Sequence, residues 1–265
     1  MLTALLWTLL ALLASASFLG LGICWGRKAG TTALAGCFTL CVLILLIRIF
    51  FKHFPDIEQK LLPFGFYTWI RPWWAWPVIL LVLGMAAGHL KRAWLRIGAE
   101  ALSGILIAYF CAALFSEFSY REGALKGVPG ADGFVRQTTF WSCGAAASAS
   151  LLKRLDVSTS EDEMARLCGS NNVTGTDIFG ICRGLEVKLA AKGLHARISR
   201  GCPAAGFPEN SLALVKARSL LDHWVLLLGE RDGKIAVFDP FLGVCEYGKS
   251  EFLAKWRGLL VIVYP

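Results

Sequence analysis

Arg136-Gln137-Thr138-Thr139-Phe140-Trp141-Ser142-Cys143-Gly144, followed by the Ala-rich run Ala145–Leu155, decides how the second half of this chain is read. Alanine is the strongest helix former, so 145–155 predicts a helix and Cys143 falls at its N-terminus. Free N–H groups and the helix dipole there favour a thiolate over a thiol. Gly144 allows close backbone approach beside it. A single cysteine before a helix is as readily a buried structural residue as a nucleophile, so its companions decide.

Gln137 lies six residues upstream, where its side-chain amide can help the Cys143 N–H bind an oxyanion. Downstream, Leu221-Asp222-His223-Trp224-Val225-Leu226-Leu227-Leu228 reads as a strand with His223 near its start. A turn at Asp232-Gly233 leads to a second strand, Lys234–Asp239, that ends on an acid before Pro240. Adjacent antiparallel strands can set the His223 imidazole against the Asp239 carboxylate, with Asp222 on the opposite face of its strand. The order Gln, Cys, His, Asp supplies a nucleophile, a general base, a group that orients the base and an oxyanion donor.

The block from Gln137 to Tyr264 resembles the bacteriocin-processing, double-glycine-leader cysteine peptidases, a papain-like family. The resemblance rests on Gln137-x5-Cys143-Gly144, Gly175-Thr176-Asp177 through Gly193-Leu194, His223-Trp224-Val225, and Asp239-Pro240 with Gly243. It covers about half of the chain and implies Cys143 as nucleophile, His223 as base, Asp239 as its orienter and Gln137 as oxyanion donor. Two departures stand out. Ser142 occupies the position where the family usually has an acid, and the family's domain usually precedes a six-span transporter with an ATPase, whereas here it follows an apolar region. That order argues against a bacteriocin exporter and leaves room for a separate transporter as partner.

The expected fold is an α-helical transmembrane region followed by an α+β papain-like cysteine peptidase domain, helices packed on an antiparallel sheet. Helices are expected near 144–155, 161–168 and 176–191, with the sheet from about 194 to 264. Ser160-x-x-Glu163 reads as a capping box with Asp162 in the first turn, and Asp177 as a second helix start. His195 reads as an exposed strand position rather than a metal ligand. Gly243-Val-Cys-Glu-Tyr-Gly248-Lys249-Ser250 fits the pattern of a phosphate-binding loop. Val244–Tyr247 is strand-like, however, and fifteen residues after Ser250 are too few for the sheet of an ATPase, so no ATP binding is expected. Ser250 reads as a cap on a short helix Glu251–Trp256. Asn172-Val173-Thr174 matches a glycosylation sequon, relevant only in a eukaryotic secretory route.

Composition sets the frame. Over 265 residues, 56% are hydrophobic and mean hydropathy is +0.57, above the 45–50% apolar content usual for soluble domains. The excess lies in 1–118, where spans are expected at 2–25, 32–51, 73–88 and 99–115. Trp69, Trp73, Trp74 and Trp76 suggest an interfacial belt. Residues 119–133 read as a linker and 134–265 as the peptidase domain. Ala14-Ser15-Ala16 resembles a signal-peptidase site, but no Lys or Arg precedes it, so a retained helix is expected. Arg27, Lys28, Lys91, Arg92 and Arg96 outweigh Lys52, Lys60 and Arg71. That bias sets the first group inside a bacterial inner membrane, with the peptidase domain outside. The net charge of +8 is spent at membrane flanks, and no nucleic-acid partner is expected. No C-x-x-C pair occurs among the nine cysteines, so neither metal nor cofactor is expected. The reading is a membrane-anchored cysteine peptidase acting on a peptide or precursor-protein leader. The alternative is a catalytically silent relative that presents a peptide to a membrane partner or exporter. An acyl-transfer or amidase reaction would use the same four residues.

Overall fold

The computed structural model describes residues 2–62, 71, 75–119, 123–201, 206–218 and 221–265. Trp69, Trp73 and Trp74, and the linker positions 120–122, lie outside the described residues. The chain forms two compact units, Met1–Pro55 with Trp69–Ser119 and Asp56–Thr68 with Tyr120–Pro265.

The first unit holds α1 (Leu2–Lys28), α2 (Thr31–His53), α4 (Trp76–His89) and α5 (Ala93–Phe118), while α3 (Pro55–Leu61), which follows α2, falls in the second unit from Asp56 onward. Three described helices are long and apolar enough to cross a bilayer: Leu5–Lys28, Thr31–His53 and Ala93–Ser116. Trp76–His89 is apolar but shorter. Its fourteen residues rise about 21 Å, against a hydrocarbon core of about 30 Å. Where only 99–115 had been expected, α5 starts at Ala93, because Arg96 and Glu100 pair one turn apart and carry the helix into a polar stretch.

Helices α1 and α4 pack through glycines. A Cβ on Gly22 or Gly26 would run into the Leu81 or Met85 carbonyl, and one on Gly84 or Gly88 into the Leu19 or Ile23 carbonyl. Two G-x-x-x-G faces thus bring the backbones together, which matters in lipid because apolar side chains gain nothing by leaving it. Trp76 stacks on Phe110 at 4.6 Å between ring centroids. Arg48 is satisfied by donating to the Arg71 carbonyl at 2.9 Å.

In the second unit, α6 (Cys143–Arg154), α7 (Glu161–Cys168) and α8 (Ile178–Leu189) precede a six-stranded antiparallel sheet. Its strands are β1 (His195–Arg200), β2 (Ser211–Arg218), β3 (Leu221–Arg231), β4 (Lys234–Asp239), β5 (Gly243–Gly248) and β6 (Trp256–Tyr264), in the order β1-β6-β2-β3-β4-β5. The short helix α9 (Lys249–Lys255) joins β5 to β6. Strand alternation divides the core. Leu212, Trp224, Leu226, Phe238 and Val261 pack with Ala147, Leu151, Phe179 and Leu185 of the helices. Ala213, Val225, Leu227, Val237 and Leu260 pack with Phe207 and Phe252. This is the period-2 pattern of a sheet buried on both faces.

Asp177 caps α8 by accepting the Phe179 N–H at 3.1 Å, so the helix starts two residues later than 176. Ser160 accepts the Glu163 N–H at 3.1 Å, while the Glu163 carboxylate turns instead to Thr159 and Lys188. One expectation fails. Ser250 lies inside α9 rather than capping it, because the helix begins at Lys249, whose N–H is held by the Gly233 carbonyl at 2.9 Å. The edge strand β1 is covered by side chains: Glu186 accepts the Ala196 N–H at 2.6 Å and Gln59 of α3 accepts the Ile198 N–H at 2.7 Å. Capping of this kind blunts an open edge against another strand.

Candidate active site

Cys143 is the first residue of α6 and is 7% exposed. The close approach at Gly144 is made by the Thr176 side chain rather than by backbone: a Cβ on Gly144 would stand 2.6 Å from the Thr176 Cβ. Thr176 in turn accepts the Trp224 indole N–H on its carbonyl at 3.1 Å and bonds Ser170 through its hydroxyl at 2.8 Å. The segments Cys143-Gly144, Gly175-Thr176 and His223-Trp224 thus meet at one residue. Nothing in the sequence marked Thr176 for this, since its partners lie far away along the chain.

His223 sits near the start of β3 and Asp239 at the end of β4, and the His223 Nε2 to Asp239 Oδ1 distance is 2.9 Å. Asp239 Oδ1 also accepts the backbone N–H groups of Phe241 at 2.7 Å and Leu242 at 3.2 Å, which fixes the carboxylate. Burial works against the charged Asp239, but His223 and these backbone donors outweigh it and hold its pKa below the ordinary 3.8. Burial likewise opposes a charged His223. The hydrogen bond and charge of Asp239, together with the neighbouring Cys143, overcome it and raise the imidazole from 6.5 to about 9. His223 and Asp239 are therefore hydrogen-bonded, and Cys143 lies close enough to act on the same imidazole. Asp222 points elsewhere, to Arg257 at 2.7 Å, and His195 is an exposed residue beside Glu186 at 3.1 Å.

Gln137 joins the same site through its backbone, donating its N–H to the Pro240 carbonyl next to Asp239 at 3.0 Å. Its Nε2 donates to the Thr139 carbonyl at 3.0 Å, and its Oε1 is buried without a donor among the described residues. Ser142, fully buried, leaves the helix uncapped and ties the preceding turn. Its hydroxyl accepts the Thr139 N–H at 3.1 Å and donates to the Thr139 carbonyl at 3.0 Å. Arg136 lies over the Phe238 ring at 5.4 Å and pairs with Asp132 at 2.7 Å. No cluster of three or more metal-ligating side chains occurs among the described residues. The positions Glu161 and Asp162 were not legible as part of this neighbourhood: acids after a Ser-Thr-Ser run look like an ordinary helix start, yet both are buried here.

A cysteine at a helix N-terminus, met by a histidine and an acid from adjacent strands of an antiparallel sheet, defines the class of domain. Residues 132–265 match the model of the Peptidase C39 family, and the chain belongs to that family. Among curated proteins, an uncharacterised protein of Methanothermobacter marburgensis is 29% identical over 140 residues, 52% of this chain and 93% of that protein. An uncharacterised protein of Methanothermobacter thermautotrophicus is 29% identical over 129 residues, 49% of this chain and 86% of that protein. Among solved structures, the peptidase domain of Streptococcus ComA, described as a bifunctional ABC transporter in quorum sensing, is similar with a TM-score of 0.44. It is 22% identical and covers 50% of this chain and 97% of its own. A double-glycine-motif protease from an AMS/PCAT transporter, solved with a leader peptide, has a TM-score of 0.41 at 19% identity and covers 54% and 94%.

Proposed function

We propose that this chain is a membrane-anchored cysteine peptidase that hydrolyses a peptide bond in a leader or precursor peptide. The observation that carries the reading is the His223–Asp239 hydrogen bond, with Cys143 beside His223 at the N-terminus of α6. With Nε2 committed to Asp239, the other ring nitrogen of His223 takes the thiol proton. The thiolate then attacks the scissile carbonyl carbon. Charge that develops on the carbonyl oxygen is met by the Cys143 N–H and the second Nε2 hydrogen of Gln137, donors held in place before the reaction. The imidazolium gives its proton to the leaving amine as the C–N bond breaks, and a thioester remains. Water activated by the neutral His223 hydrolyses it, releasing the acid and the thiol. Asp239 keeps the ring oriented and supports its positive charge throughout.

A peptide bearing a thiol-reactive group should label Cys143 in the full-length protein, and His223→Ala should abolish labelling. Absence of labelling in the folded wild type overturns the reading. Tight peptide binding that survives Cys143→Ala, with no turnover by the wild type, would instead favour the silent peptide-presenting relative.

We also propose that the chain crosses the membrane four times, with the peptidase domain on the extracytoplasmic face. Gln59, between α2 and α4, caps β1 of the peptidase domain, so both lie on one side of the bilayer. An even number of crossings must then separate them. Taking α5 as one crossing makes α4 the other, and bilayer thinning accommodates its short length. Arg27, Lys28, Lys91, Arg92 and Arg96 fall on the opposite, positive-inside face.

A further inference from the structure

We infer that Glu161 is a positioning residue for the oxyanion side of the site, an inference that rests on the peptidase reading above. Glu161 opens α7 and is fully buried. A buried carboxylate is costly unless its lone pairs are satisfied. No Lys or Arg pairs with it among the described residues; its two oxygens instead hold Thr138. Oε1 accepts the Thr138 N–H at 2.8 Å, and Oε2 accepts the Thr138 hydroxyl. Gly127 leaves room for this, since a Cβ there would collide with Oε2. The α7 N-terminus favours negative charge and is itself anchored, because Ser160 caps it and Asp162 accepts the N–H groups of Gly123 at 2.8 Å and Leu125 at 3.0 Å.

What Glu161 grips is the residue directly after Gln137. The loop is pinned on both sides of that glutamine, at its own N–H by Pro240 and at Thr138 by Glu161. Inside that frame the side chain is held with Oε1 buried and undonated, an unfavourable placement that a free loop would relax. Thr139, fastened by Ser142, takes one Nε2 hydrogen and leaves the other for an oxyanion. Glu161 touches no reacting atom and acts through Gln137 alone.

Two probes on the full-length protein separate this role from a structural one. Iodoacetamide alkylates Cys143 using the thiolate that His223 generates and needs no oxyanion donor. A peptide aldehyde ending in Gly-Gly adds the thiol across its C=O, forming an S–C bond with the proton passing to oxygen, and that oxygen sits where the oxyanion would. Glu161→Gln should leave the alkylation rate within about twofold and weaken the aldehyde about tenfold or more, as loss of an oxyanion donor does. It should add little to Gln137→Ala in the double variant, because both act on one group. Thr138→Ala, at an exposed position, removes one of the two bonds without altering the buried carboxylate and should weaken the aldehyde less; it decides the matter if Glu161→Gln does not fold. Parallel loss of alkylation and aldehyde binding, no loss of either, or additivity with Gln137→Ala overturns the inference. A wild type that alkylates but forms no aldehyde adduct and cleaves no peptide overturns the peptidase reading itself.

Discussion

Replacing Asp239 by Asn should move the titration of one histidine, and the size of the movement can be worked from the site. Burial opposes a charged His223 ring, but Asp239 and Cys143 raise its pKa from 6.5 to about 9. The gap from 6.5 to about 9, at about 1.4 kcal/mol per pH unit, is on the order of 3 kcal/mol of preference for the charged ring. The His223 side chain is 13% exposed, so solvent screens little of it. Because the folded value lies above the ordinary one, this contribution is complete below about pH 6.5 and is lost as pH rises through about 9. Peptide hydrolysis, which needs the imidazolium to protonate the leaving amine, should decline over the same alkaline range. Asn keeps the shape of Asp239 but not its charge. Burial then dominates, and the His223 pKa should drop by a unit or more. The chain has four histidines, His53, His89, His195 and His223, so NMR of protein labelled with ¹³C at histidine Cε1 resolves them individually. One resonance should titrate near 9 in the wild type, vanish in His223→Ala, and titrate lower in Asp239→Asn and in Cys143→Ala. No resonance titrating near 9 in the wild type, or an unmoved His223 resonance in Asp239→Asn, would refute the coupling.

Gly144→Ala should place a Cβ 2.6 Å from Thr176 Cβ, about 1 Å inside normal carbon contact. The overpacking should cost about 1–3 kcal/mol and slow Cys143 alkylation; Gly144→Ala with Thr176→Gly should recover both, as read by thermal unfolding and labelling rate. A membrane-impermeant maleimide, tested in vesicles of known orientation on chains with the native cysteines blocked, should reach Gln59→Cys and Lys234→Cys from one face and Lys28→Cys from the other. Labelling of Gln59→Cys and Lys234→Cys from opposite faces would remove the four-crossing topology.

Much of the peptidase half was legible in the sequence because its signals are local. An Ala-rich run after Cys143 fixes a helix and its N-terminus, and alternation with a turn at Asp232-Gly233 fixes two adjacent strands and brings His223 opposite Asp239. The apolar helices were legible from length and composition, whereas the packing of α1 on α4 through their glycines emerged only from the structure. Only the tertiary structure decided what those elements press against. Thr176 wedges beside Gly144 and takes the Trp224 indole, Glu161 holds the loop after Gln137, and Gln59, within the second unit, caps β1. Each is a contact between residues more than twenty positions apart that involves a common polar or small side chain, and no periodicity or spacing encodes the pairing. The sequence determined which candidate groups stand in order along the chain; the packing of distant segments decided what each is held against.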